Sequence, residues 1–163
     1  MSSIPANSFV LFPMGKKRFA LPAEAVAELA RPDRSQTFPH TTPFLIGVLV
    51  RRGHIIPVCD VADVLVGPKA PPRKFYLIAN RAFTDSRAGL AKKFVEWTAI
   101  PVTGECELVS GRQVAPAEHM PDYVTGLLQI GSEIVEIVDL EKLISNDVPT
   151  TTARTSSARE VRA

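Results

Sequence analysis

Two stretches of this chain follow one pattern, and any fold must accommodate both. Phe44-Leu-Ile-Gly-Val-Leu-Val-Arg-Arg-Gly-His-Ile-Ile-Pro-Val-Cys-Asp60 lies over Tyr123-Val-Thr-Gly-Leu-Leu-Gln-Ile-Gly-Ser-Glu-Ile-Val-Glu-Ile-Val-Asp139 after a shift of 79 positions, without a gap. Gly47 falls on Gly126, Leu49 on Leu128, Ile55 on Ile134 and Asp60 on Asp139. Most other pairs exchange one apolar residue for another, so we read an internal duplication. Each copy is two strands around a turn, because runs rich in Val, Ile and Leu suit a pleated, largely buried strand. The first copy predicts strands over 44–50 and 54–58. Pro57 has no N–H to give, which predicts that the second strand ends there or runs along an edge. Asp60 and Asp139 then open short helical patterns as caps, and Gly67-Pro68 closes the first. The copies differ at the turn, which is Arg51-Arg52-Gly53 in one and Ile130-Gly131-Ser132 in the other.

A chain of 163 residues suits one domain or two small, closely packed lobes. No apolar run approaches the ~20 residues that cross a bilayer, and the first residues do not read as a signal peptide. Two cysteines, Cys59 and Cys106, are too few for a disulfide framework. They are expected as small core residues in a cytoplasmic protein. Residues 1–74 hold ten cations against five anions, and residues 75–147 six against eleven. This +5/−5 asymmetry favours a charged protein partner or weak head-to-tail self-association, and argues against nucleic acid.

Taken in order, Phe9–Phe12 and Arg18–Leu21 form a hairpin about a turn at 13–17. Pro22 and Glu24 suit a single helical turn, followed by a strand through Leu29. Residues 31–42 read as a polar loop and 67–74 as a semi-rigid, basic, proline-rich connector. Phe75–Ala79 is a strand, Asn80–Arg87 a longer turn and Ala88–Ala91 the returning strand. Lys92–Trp97 is ambiguous between helix and strand, with Phe94 and Trp97 expected in the core. Residues 1–7 and 148–163 read as flexible tails.

Chemistry-bearing motifs are scarce. His40, His54, His119, Cys59 and Cys106 show no metal-ligand spacing, and no nucleophile elbow, phosphate loop or dinucleotide fingerprint occurs. The expectation is a protein without catalytic residues, metal or cofactor. Gly47 marks a close backbone approach, and its repeat at Gly126 favours packing as the reason. An arginine at a strand turn, such as Arg52, can fork to a carboxylate or to carbonyl groups.

The order of elements resembles the CheW-like domain, the adaptor domain of bacterial chemotaxis. Phe19-Ala-Leu-Pro22, Val26-Ala-Glu28, Phe44-Leu-Ile-Gly47 and Arg52-Gly-His-Ile-Ile-Pro-Val58 with Asp60 carry the resemblance. Tyr123-Val-Thr-Gly126 and Ile137-Val-Asp-Leu140 carry it in the second half. The resemblance implies an all-β fold: two intertwined five-stranded, SH3-like β-barrel lobes with short helices around a shared core. The expected domain is 8–147, with lobe one at about 20–74 and lobe two at about 75–147 plus the N-terminal strand. It further implies a stand-alone, non-catalytic adaptor at the inner face of the membrane. Such an adaptor couples a chemoreceptor's cytoplasmic tip to the regulatory domain of a CheA-type histidine kinase. Arg52, Val26, Glu28 and Gly47 are the implied protein-binding residues. Arg51 stands where the family commonly has an apolar residue, and Lys92-Lys93 stands near the place of a usual Val-Asp dipeptide. The alternative is a β-barrel module binding a small ligand or another protein, without a kinase partner.

Overall fold

The computed structural model describes residues 7–31, 36–37, 45–85 and 92–145, with side chains left undescribed at 36–37, 81–85 and 92–95. All of the predicted 1–7 tail except Asn7, the predicted tail at 148–163, most of the loop at 31–42 and the strand at Ala88–Ala91 lie outside the described residues.

Among the described residues, twelve strands form two six-stranded sheets. The first sheet holds β1 (Ser8–Met14), β2 (Lys17–Pro22), β9 (Glu107–Ser110), β10 (Arg112–Val114), β11 (Val124–Ile130) and β12 (Glu133–Val138), in the order β10-β11-β12-β2-β1-β9. The second holds β3 (Val26–Ala30), β4 (Gln36–Thr37), β5 (Leu45–Arg51), β6 (His54–Cys59), β7 (Phe75–Asp85) and β8 (Lys92–Val102), in the order β3-β7-β8-β6-β5-β4. The fold is therefore all-β with two lobes. Each sheet has one strand more than predicted, and the extra members β4 and β10 are only two and three residues long.

The division between lobes does not follow a cut at residue 74. The N-terminal hairpin β1–β2 completes the sheet of β9–β12, while β7–β8 completes the sheet of β3–β6. The duplicated hairpins join these loaned strands in parallel, β12 beside β2 and β6 beside β8. The two copies agree in detail: each has a β-bulge at its glycine, between Leu45 and Gly47 and between Val124 and Gly126.

Alternation along the loaned strands explains why they can be shared. Phe9, Leu11 and Ala20 face the interior of one lobe with Leu128, Val135 and Ile137. Phe12, Met14, Phe19 and Leu21 face a central core instead. Likewise Ile78 and Ala99 point into the other lobe, with Leu49, Ile56 and Val58. Leu77, Ala79, Ile100 and Val102 join the central core. A short helix from each copy seals that core: α1 (Ala62–Val66) contributes Leu65, and α2 (Leu140–Ser145) contributes Leu143 and Ile144. Asp139 caps α2 by accepting from the Lys142 N–H at 3.2 Å. Asp60 acts one step earlier, accepting from Ala62 N–H at 3.1 Å while pairing with Arg73 at 2.7 Å.

Three expectations are corrected. Pro57 does not end its strand or mark an edge: β6 continues to Cys59 between β5 and β8. The seam to β8 is a single residue pair, Val58 with Ala99, so the sheet asks little of the missing N–H. Asn80–Asp85, expected in a turn, extends β7 and pairs with Lys92–Trp97, which resolves the ambiguous segment as strand. Trp97 is half-buried rather than core, its ring 4.8 Å from that of His54.

The first sheet curls on itself. β9 and β10 stand at opposite ends of its order, yet Gly111 alone joins them. A one-residue link requires the two edges to lie side by side. Gly111 fits because a Cβ there would sit 2.7 Å from Leu128 Cδ1 and 3.0 Å from the Gln129 carbonyl oxygen. Gly111→Ala is expected to lower stability by about 1–3 kcal/mol through overpacking at this closure. The urea midpoint checks it, and an unchanged midpoint would mean that the link has room to spare.

Candidate protein-binding site

The tip of the β5–β6 hairpin is a two-residue turn, Arg52-Gly53, with φ of 53° and 79°. Paired left-handed residues are the signature of a turn whose twist matches that of the flanking strands. Glycine takes that conformation freely, but arginine is strained by on the order of 1 kcal/mol. Among the described residues Arg52 is the only non-glycine with positive φ. The duplicate position holds Gly131 at 59°. Strain is therefore retained at one tip and absent from the other.

Glu28 on β3 reaches this turn from the opposite edge region of the sheet. Its Oε1 accepts from Arg51 Nε, and its Oε2 lies 3.3 Å from Arg52 Nη2. One carboxylate thus serves two guanidinium groups. The Arg51 hydrogen bond is the main cause that holds the Glu28 carboxyl below its ordinary value. The charges of Arg51 and Arg52 act in the same direction, and burial acts against them. The Arg52 side chain remains 72 % exposed, against 21 % for Glu28. Glu28 is the anchor, and Arg52 is a cation held at the surface with donors left for another molecule.

A β-bulge between Val26 and Glu28 lets β3 serve two directions. Val26 packs on the central core, while Glu28 turns toward the arginines. The structure therefore brings Arg52 and Glu28 into contact and sets Val26 two residues along the same strand. Gly47 is not at the tip. It is buried within β5, opposite Val58 and Thr37. At its duplicate, Gly126, a Cβ would lie 3.3 Å from the Val114 carbonyl oxygen, which shows how closely a neighbouring strand can approach this position.

Sequence reasoning missed the outward face of the hairpin. Val50 and Ile55 are cross-strand partners beside the turn, and they are 62 % and 71 % exposed. Their richness in Val, Ile and Leu predicts burial along both runs, and the structure buries only one face. Strict alternation gives the answer, since Leu49 and Ile56 point inward and their neighbours must point out. His54, at the start of β6, instead turns its ring to Trp97 on β8 at 4.8 Å. The duplicate tip carries the opposite charge: Glu133, just after its turn, binds Arg18, which also meets Glu107 at 3.3 Å. Among the described residues no group of His, Cys, Asp and Glu is arranged to hold a metal ion. Burial pushes the Cys106 thiol up to about 12, far from a nucleophile's range. No described helix is long and apolar enough to cross a membrane.

Comparison with known proteins agrees with the two-lobed all-β fold. The family described as the CheW-like domain matches residues 8–93. The chemotaxis protein CheW of Klebsiella aerogenes is 24 % identical over 149 residues, covering 86 % of this chain and 83 % of its own length. A probable chemotaxis protein CheW of Rhizobium etli is 22 % identical over 139 residues, covering 85 % of this chain and 88 % of the relative. Among solved structures, the scaffolding protein TtCheW of Thermoanaerobacter tengcongensis superposes with a TM-score of 0.68 at 18 % identity, over 86 % of this chain and 89 % of that one.

The state of Glu28 sets a pH dependence. Its folded value lies below the ordinary 4.5, so its ion pairs stabilise the fold above that pH and are lost as pH falls through the lowered value. Glu28→Gln is expected to lower the melting temperature at neutral pH. The gap to the native chain should close as pH falls below the ordinary carboxylate range. An equal gap at both ends of a pH series of thermal melts would assign the loss to packing instead.

Proposed function

This chain belongs to the family of CheW-like domains and is a chemotaxis adaptor; we propose that it couples the cytoplasmic tip of a chemoreceptor to the regulatory domain of a CheA-type histidine kinase. It does so by binding alone, holding the two partners in a geometry in which the receptor's ligand state governs phosphorylation. The proposed functional unit is residues 8–147, stationed at the inner face of the membrane through its receptors.

The observation that carries this reading is Arg52. An exposed cation is kept in a strained left-handed turn and steered by a partly buried glutamate on another strand. Strain of that kind accumulates where a surface is used. Beside it lies the exposed pair Val50 and Ile55, so the tip combines an apolar centre with a charged rim, the usual composition of a protein interface. In this reading Arg52 contacts the partner and Glu28 positions it. Val26 sets the adjoining part of β3, and Gly47 acts through packing. Individual contacts of this size are expected to be weak, of micromolar strength, with avidity supplied by an array of many copies.

The test is a titration of the full chain against the kinase regulatory domain and a receptor-tip fragment, with Arg52→Gly and Arg52→Ala in parallel. Glycine removes the guanidinium and also relieves the strained backbone, so Arg52→Gly should melt within a few degrees of the native chain. We expect saturable micromolar binding by the native chain and a loss on the order of tenfold in Arg52→Gly toward at least one partner. Native binding with Arg52→Gly equally tight would remove Arg52 from the interface, and no binding to either partner would overturn the coupling role.

A further inference from the structure

Among the described residues, a cleft of about 750 Å³ shares no residue with the Arg52 tip. It opens between the β1–β2 turn and the proline-rich connector, with Lys16, Lys17, Lys69 and Lys74 around Met14 and Pro71. No carboxylate lines it. Lys17 is paired with Glu136 at 3.1 Å, whereas Lys16, Lys69 and Lys74 make no ion pair among the described residues. Like charges gathered around an open cleft without a counter-ion raise the local potential and favour an anionic visitor.

Both walls are fixed before anything binds. Gly15 N–H donates to Thr103 Oγ1 at 2.9 Å, and Thr103 N–H donates to the Pro13 carbonyl at 3.2 Å, which ties the turn to the end of β8. On the other side Arg73 donates to Asp60 at 2.7 Å and to the Pro71 carbonyl at 2.9 Å, clamping the connector two residues ahead of α1. The walls meet where Gly15, at φ +70°, approaches Pro71 so closely that a Cβ would sit 3.3 Å from the ring. A binding surface with so little left to order loses little entropy on association.

The lining chooses among anions. It contains no arginine fork for a phosphate and no aromatic ring for a base, but it offers valine, alanine and proline beneath exposed lysines. We propose that this cleft docks an acidic segment of a partner protein, with Asp or Glu flanking one aliphatic anchor that rests on the exposed Val66 and Pro71. It is a further surface, separate from the tip assigned above, and does not depend on that assignment.

The experiment uses the full chain and short labelled peptides in which Glu and Asp flank a central Leu or Ile, beside counterparts with Gln and Asn. Anisotropy and amide chemical shifts are read together. Expected are micromolar binding of the acidic peptides, shifts confined to residues 14–17, 66, 69–74 and 103, and weakening as salt is raised. The triple variant Lys16→Gln, Lys69→Gln, Lys74→Gln should bind on the order of tenfold more weakly with an unchanged melting temperature, since all three side chains are exposed. Arg52→Gly should bind the peptides as the native chain does. Failure of the acidic peptides to bind, or equal binding by the amide counterparts, would overturn the proposal. So would tripolyphosphate or anionic phosphatidylglycerol vesicles shifting these amides where the peptides do not, by making the cleft a small-anion or membrane-surface site.

Discussion

Burial of two hairpins on both faces is the constraint on which this structure depends. β1–β2 and β7–β8 each serve a lobe core on one side and the central core on the other. Strands of that kind must be apolar at successive positions, as in Phe9-Val-Leu-Phe12 and Leu77-Ile-Ala79. Because each hairpin is lent to the sheet built by the other half of the sequence, the first lobe joins residues 8–22 to residues 107–138, while the second is closed by the contiguous stretch 26–102. The central core is consequently the largest of the three and includes residues from both helices and both sheets.

The duplicated hairpins show what this architecture leaves free. Strand length, the bulge at the glycine and the parallel seam to a loaned strand are common to both copies. The tips are not. One carries Arg51 and Arg52 held by an acid, and the other carries Glu133 held by a base. The opposite net charges of the two sequence halves are expressed at these corresponding places, where a side chain can change sign without disturbing the cores. This is the arrangement expected of a scaffold that must present different faces to different partners.

Much of the fold could be read from the chain because β-branched runs, glycine-bearing turns and a gapless repeat are local signals. The helical turn after Pro22 followed by a strand is one example, and the paired hairpins are another. The misreadings were of tertiary origin. Asn80–Asp85 looks polar enough for a turn, but pairing with β8 holds it extended. Pro57 sits inside a sheet because its seam to β8 is a single pair. Arg52 and Glu28 were each singled out from the sequence, yet nothing local states that they touch. That contact needs β3 and the β5 tip to meet across a curled sheet. The exposure of Val50 and Ile55 was available in the alternation but hidden by reading each run as uniformly buried. The lysines of the basic cleft come from segments some fifty residues apart, and only the central packing gathers them.

The loan of the N-terminal hairpin also bears on how the chain is made. β1–β2 leaves the ribosome more than a hundred residues before the strand that covers its free edge, β12, which pairs Glu136 with Phe19 and Ile137 with Ala20. At ~5–20 residues per second the hairpin waits on the order of ten seconds for that partner. Throughout this interval Phe9 and Leu11, buried in the finished protein, lack the Leu128, Val135 and Ile137 that complete their core. The exchange that unites the two lobes thus makes the nascent chain a client for whatever shields apolar strands in the cell, and early termination would leave a fragment whose most adhesive segment has already been synthesised.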